Sequence, residues 1–167
     1  PRTRSPARNA SAACSMITAG SAASGSLSAA VMNSACGTAS GFGMTAPIAA
    51  ELLAAGADVL TLGDHAFDQK DMLKHIDGEP RILRPMNFAP GAPGKGSGIF
   101  EATRGRKVLV AQVLGQVFMK RPFDDPFATI EAALKRYPLG GQAQAVLVDV
   151  HCEATSEKMA MGHFLDG

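Results

Sequence analysis

Apolar and polar positions fall into a regular order only from about Gly41 onward. Ahead of that point, residues 1–40 are dominated by Ala, Ser and Arg, with isolated apolar residues at Ile17, Leu27, Val31 and Met32 that keep neither a helical nor a strand period. That composition reads as a disordered tail or as a stretch whose coding was shifted out of frame, alternatives that composition does not separate. Beyond it, Thr45 reads as a helix cap, Pro47 falls in the first turn, and Ile48, Leu52 and Leu53 make an apolar stripe that stops at Gly56. The pattern next predicts a strand over 58–62, a short helix over 70–76 capped by Asp68, and a Pro- and Gly-rich loop over 84–98. Runs at 98–103 and 107–114 about the turn Arg104-Gly105-Arg106 predict a β-hairpin, and Asp125-Pro126 opens a helix to Tyr137. A strand over 145–150 follows, and Thr155 caps a last helix reaching toward His163. This βαβ-rich order predicts an α/β fold, a sheet with helices packed on its faces.

Composition sets the limits. A chain of 167 residues, 46% hydrophobic, suits a single core, so the expected division is a divergent segment 1–40 and one domain over 41–167. Lys plus Arg total 16 against 15 Asp plus Glu, a net charge of +1 that gives no basic field for a stable nucleic-acid complex. The three cysteines, Cys14, Cys36 and Cys152, are odd in number and lack C-x-x-C spacing, which argues against a disulfide framework or a zinc knuckle and for a reducing cytoplasm. No apolar run approaches the roughly 20 residues that span a bilayer. The start of the chain lacks a signal-peptide core, and the expectation is a soluble cytoplasmic protein without a membrane partner.

Both predicted buried strands, Ala57–Leu62 and Ala145–Val150, run into histidines set among acidic and polar residues: Gly63-Asp64-His65 and His151-Cys152-Glu153. In open α/β sheets ligands bind beyond the carboxyl ends of the strands, so both histidines point to one rim. Imidazole ligates transition metals and exchanges protons near neutral pH, which makes metal or acid-base chemistry the functional reading. The bland alternatives are a turn in which Asp64 accepts backbone hydrogen bonds and His65 packs, and a satisfied strand-end His151 with Glu153 and Glu157 as a solvated helix start. His75 and His163 read as surface residues, and Cys152 as a packing residue with no oriented base beside it.

Three motifs fail on context. Gly41-Phe-Gly-Met-Thr-Ala46 matches G-x-G-x-x-A without a strand before it. Gly91-Ala-Pro-Gly-Lys-Gly-Ser-Gly98 has Gly96 where a phosphate loop needs Ser or Thr, and Ala89 where it needs its first glycine. His151-x-Glu153 is half of a zinc-deaminase signature that no P-C-x-x-C completes.

The string Gly56-Ala-Asp-Val-Leu-Thr-Leu-Gly-Asp-His-Ala-Phe-Asp68, then Leu83-Arg-Pro-Met-Asn-Phe88, Gly91-Ala-Pro-Gly-Lys-Gly96, Asp124-Asp-Pro-Phe127 and Asp149-Val-His-Cys-Glu-Ala-Thr-Ser-Glu-Lys158 closely resembles the YmdB-like metallophosphoesterases of the calcineurin-like superfamily. The resemblance runs from about Gly41 to Gly167 and leaves out the first forty residues. It implies a sheet sandwich with helices on its outer faces. It also implies a two-metal phosphodiesterase, with iron, manganese or magnesium as the divalent ions and 2′,3′-cyclic nucleotides as the small phosphodiester substrate. By the same resemblance Asp64 stands where a metal-ligating Asn belongs, His65 is the general acid, and His151 is a metal ligand.

This chain departs from the family pattern at several points. The Gly-Asp strand end and the Asn-Gly-Glu-Asn motif are missing before Gly41, where the chain reads Asn33-Ser-Ala-Cys-Gly-Thr-Ala-Ser40. The later Gly-Thr-His-Thr-His strand end is missing as well. The expectation is a partial domain lacking its first and last strands, a gene fragment or altered member with Asp64 and His151 as its only ligands. Such a chain would have weak or absent phosphodiesterase activity, or would be a silent α/β module that associates with itself through open sheet edges or binds nucleotides weakly.

Overall fold

The computed structural model describes residues 15–18, 28–31 and 43–166. The strands β1 (Ser15–Thr18) and β2 (Ser28–Val31) lie inside the segment that showed no strand period; the rest of that segment is outside the described residues. There follow α1 (Ala46–Ala54), β3 (Val59–Thr61), α2 (Lys70–His75), β4 (Ile82–Leu83), β5 (Ser97–Glu101), β6 (Lys107–Leu114), α3 (Pro126–Arg136), β7 (Ala145–His151) and α4 (Thr155–Leu165). One sheet has the order β1-β2-β3-β4, parallel except for the β1–β2 pair; the other has the order β5-β6-β7, with β5 antiparallel and β7 parallel to β6.

The strand period of two explains the layering. On β3, Leu60 faces α1 and α2 in a core with Ala49, Leu53, Met72 and Ile76, whereas Val59 packs with Leu83 and with Val110 of β6. Val59, Leu83 and Val110 therefore join the two sheets face to face. On the far side, Ala111, Val113, Val148 and Val150 meet Ile130, Ala133 and Met161 of α3 and α4. The result is the expected partial sandwich with helices on its outer faces.

Local chemistry accounts for most element ends. The Asp125 side chain accepts from Phe127 N at 2.9 Å, so the Asp-Pro pair caps α3 as read. Two of the expected caps are corrected: Gln69, not Asp68, precedes α2, and Ala154 precedes α4, which makes Thr155 its first residue. Thr45 stands at the cap position of α1 without a side-chain bond, and Asp71 of α2 instead accepts from Ala46 N at 2.9 Å. The loop 84–98 is held by the half-buried Arg84, which donates to the carbonyls of Pro85 at 2.7 Å and Pro93 at 3.1 Å. Burial holds its guanidinium below the ordinary arginine range.

Candidate functional site

Because β3 and β7 belong to different sheets stacked face to face, the segments that leave their carboxyl ends converge. The Asp64 carboxylate sits between the two histidines of the sequence reading: Oδ1 is 3.3 Å from His151 Nε2, and Oδ2 is 3.7 Å from His65 Nε2. His151 is the buried member, its side chain 8% exposed against 27% for Asp64 and 29% for His65. The other ring nitrogen of His65, Nδ1, lies 2.5 Å from Asp68 Oδ2, so the residue expected to cap a helix instead orients the imidazole. His65 is thus flanked by a carboxylate on each nitrogen. The glycine motif at Gly43 serves this loop: with φ +71, Gly43 packs so closely that a Cβ would lie 2.7 Å from the His65 carbonyl oxygen.

The inner face of the second sheet continues the polar surface. Asp149 and His151, two apart on β7, share that face, and Asp149 accepts from Gln112 Nε2 of β6 at 2.8 Å. Burial raises the Asp149 carboxyl above its ordinary range, opposed by Thr61, His151 and Gln112. The Thr61 hydroxyl faces that carboxylate without closing a hydrogen bond of ordinary geometry, and Thr61 Oγ1 and Gln112 Oε1 are buried without a hydrogen-bond partner among the described residues.

Two supporting residues escaped the sequence reading. Asn87, 1% exposed, donates from Nδ2 to the carbonyls of Leu114 at 2.8 Å and Asp124 at 2.9 Å, while its Oδ1 accepts from Leu114 N at 2.9 Å. One amide thus ties the loop after β4 to the end of β6 and the start of α3. Glu157, 8% exposed, is no part of a solvated helix start: its carboxylate accepts from Gln116 N at 2.7 Å and Val117 N at 3.4 Å. It also helps burial push the Cys152 thiol up to about 12, which makes Cys152 the packing residue it was read to be. For Glu157 no local signal existed; for Asn87 the hint was one carboxamide between Met86 and Phe88.

For a metal, the donor set is one carboxylate and one buried imidazole. Among the described residues no group of three or more His, Cys, Asp or Glu side chains converges on a metal position. Asp64 and His151 suit one side of a single cation, and the described residues do not fit a two-cation centre. In the glycine-rich 91–96 segment, Gly94 N donates to Asp77 Oδ1 at 2.7 Å.

Beside Asp64 and Asp68 opens a groove of about 340 Å³, walled by Phe67, Phe88 and Phe123 and edged by Arg121. The rings form a row, with Phe67 to Phe88 at 5.6 Å between centroids and Phe88 to Phe123 at 5.3 Å, the latter pair stacked. No helix among the described residues is long and apolar enough to cross a membrane.

The profile of the family described as YmdB-like protein matches residues 22–167, so the likeness begins ahead of Gly41, where the sequence motifs start. The chain is 40% identical over 131 residues to the 2′,3′-cyclic-nucleotide 2′-phosphodiesterase of Bacillus subtilis, covering 76% of this chain and 47% of that protein. It is 34% identical over 119 residues to a protein of Mycoplasma genitalium named as a candidate phosphatase/phosphodiesterase, covering 68% of this chain and 40% of the other. Among solved structures, a hypothetical protein from Thermus thermophilus superimposes with a TM-score of 0.72 at 39% identity, over 83% of this chain and 52% of that one. A phosphatase from Mycoplasma pneumoniae gives a TM-score of 0.70 at 28% identity, over 83% and 49%. The chain thus spans about half the length of the relatives it matches. With the family profile matching residues 22–167 and relatives of 34–40% identity, this chain belongs to the YmdB-like family.

Proposed function

We propose that this chain carries one side of a metal-dependent phosphodiesterase site for 2′,3′-cyclic nucleotides or related phosphodiesters, and that a polypeptide of these 167 residues alone turns them over slowly. The observation that carries the reading is the Asp64 carboxylate set between His65 and His151. Asp64 and His151 would hold a divalent cation, iron, manganese or magnesium. A complete two-cation centre activates water and stabilises charge on phosphoryl oxygens, and the described donors do not complete one.

What the chain's own side chains can do is narrower. The contact of His65 Nδ1 with Asp68 Oδ2 orients the ring and leaves Nε2 on the Asp64 side, where it would hold a proton for the departing alkoxide. Asn87 and Glu157 keep the walls of the site in place by filling the hydrogen-bonding needs of Leu114, Gln116 and Val117. The buried free thiol of Cys152 supports a reducing, cytoplasmic setting.

One observation favours a second reading, a catalytically silent module that associates with itself: among the described residues β7 pairs with β6 on one side only. Metal analysis and hydrolysis of cyclic nucleotides with added Mn²⁺ or Fe²⁺ separate the two. Bound metal that His151→Ala removes, with slow hydrolysis, is expected. Turnover equal to that of a full-length relative would overturn the slow-turnover part, and a metal-free protein with no hydrolysis would leave the silent module.

A further inference from the structure

The groove beside Asp64 has a wall that the chemistry at Asp64, His65 and His151 does not require. Phe67, Phe88 and Phe123 come from three separate segments, yet their rings form one row and each stays only partly buried. Arg121 also lines the groove, exposed and without a hydrogen bond or ion pair among the described residues. The segment carrying Arg121 and Phe123 is held in place, since Gln116 Nε2 donates to the Phe123 carbonyl at 2.8 Å and Asn87 Nδ2 to that of Asp124 at 2.9 Å. A built aromatic wall with a spare guanidinium, opening onto a pair of carboxylates, calls for an occupant with three properties. It is flat and apolar on its face, it carries hydrogen-bond acceptors on its edge, and, on the phosphodiester reading, its anion meets the Asp64 end through a bound cation, because the Asp64 and Asp68 carboxylates alone repel one.

We propose that this groove is a nucleobase subsite, in which the base stacks on the aromatic row at Phe123 and Arg121 reads its acceptor edge. The inference rests on the phosphodiester reading of the adjoining site and deepens it by naming the part of the substrate that is recognised. The groove volume of about 340 Å³ lies in the range of small-ligand sites. A guanidinium offers two parallel donors, which match the paired O6 and N7 acceptors of guanine and conflict with the N6 amino group of adenine. Guanine is therefore the favoured base.

Equilibrium binding to the 167-residue protein in Mn²⁺ tests this without requiring turnover. The ligands are guanosine 2′,3′-cyclic phosphate, its adenosine counterpart, and ribose 2′,3′-cyclic phosphate, which has no base. The guanosine ligand should bind roughly ten- to a hundredfold more tightly than the base-free one. Phe123→Ala should erase most of that advantage, Phe123→Leu should erase it while keeping the apolar volume, and Arg121→Ala should remove the preference for guanine over adenine. Equal binding of all ligands, absence of binding by any, or a base preference unchanged in the variants overturns the subsite. The two readings fail separately: base-dependent binding without hydrolysis counts against the phosphodiesterase alone, and hydrolysis indifferent to the base counts against the subsite alone.

Discussion

Asp68 Oδ2 lies 2.5 Å from His65 Nδ1, one helical turn further along the chain and on the opposite side of the ring from Asp64. This contact orients the imidazole, with Nε2 on the Asp64 side. Asp68→Asn should leave the melting temperature nearly unchanged, because both groups are partly exposed, and should alter the His65 ring-nitrogen chemical shifts seen by ¹⁵N NMR. In a chain that turns over substrate, the same change should lower kcat by roughly tenfold or more, and His65→Ala by about a hundredfold or more. Unaltered His65 shifts would remove Asp68 from the site.

The Asn87 amide is the second test. Truncation to Ala strands the Leu114 amide and carbonyl and the Asp124 carbonyl in a buried place. The expected cost is about 3 kcal/mol, read by chemical denaturation. Asn87→Asp should also be destabilising, because a carboxylate cannot donate to those carbonyls.

Glu157 and Gly115 make a matched pair. A Cβ at Gly115 would run into the Glu157 carboxylate and lie 2.7 Å from Cys152 Sγ. Gly115→Ala should therefore cost about 1–3 kcal/mol by overpacking. Glu157→Ala should cost about 2 kcal/mol by leaving the Gln116 and Val117 amides without their acceptor. If the two act through one contact, the double variant should lose less than the sum of the single losses.

The surface fork between Glu79 and Arg81 gives a pH signature. Arg81 donates from Nε at 3.0 Å and Nη2 at 2.8 Å, and this hydrogen bonding holds the Glu79 carboxyl below its ordinary 4.5. A carboxyl lowered in the folded state contributes stability above 4.5, and that contribution is lost as pH falls through the folded value. Glu79→Gln should lower the melting temperature slightly at pH 7, with the difference vanishing in acid and shrinking in high salt.

Legibility followed the range of the forces involved. The bounds of β6, Lys107–Leu114, could be read because eight consecutive residues carry a strand pattern, and the Asp125-Pro126 start of α3 because a cap is local chemistry. The two-residue β4 shows no period of its own and exists through its pairing with β3. Asp68 looked like a cap because it precedes a helix, but Gln69 holds that position and His65 takes the carboxylate. Glu157 looked solvated because burial under the 115–117 turn is a tertiary fact. The strand-end rule for an open sheet put Asp64, His65 and His151 on one rim, and they do meet, although β3 and β7 belong to two sheets rather than one; the aromatic row draws on residues too far apart in sequence to announce themselves.

The apolar contact of Val59 and Leu83 with Val110 acts as the pivot of a caliper whose jaws are Asp64 and His151. Each jaw is rooted in a different sheet, so the 3.3 Å gap between them measures how the sheets sit on one another. Trimming the pivot, as in Val110→Ala, should thus be felt first as a change of spacing at the polar rim, with every polar residue still in place.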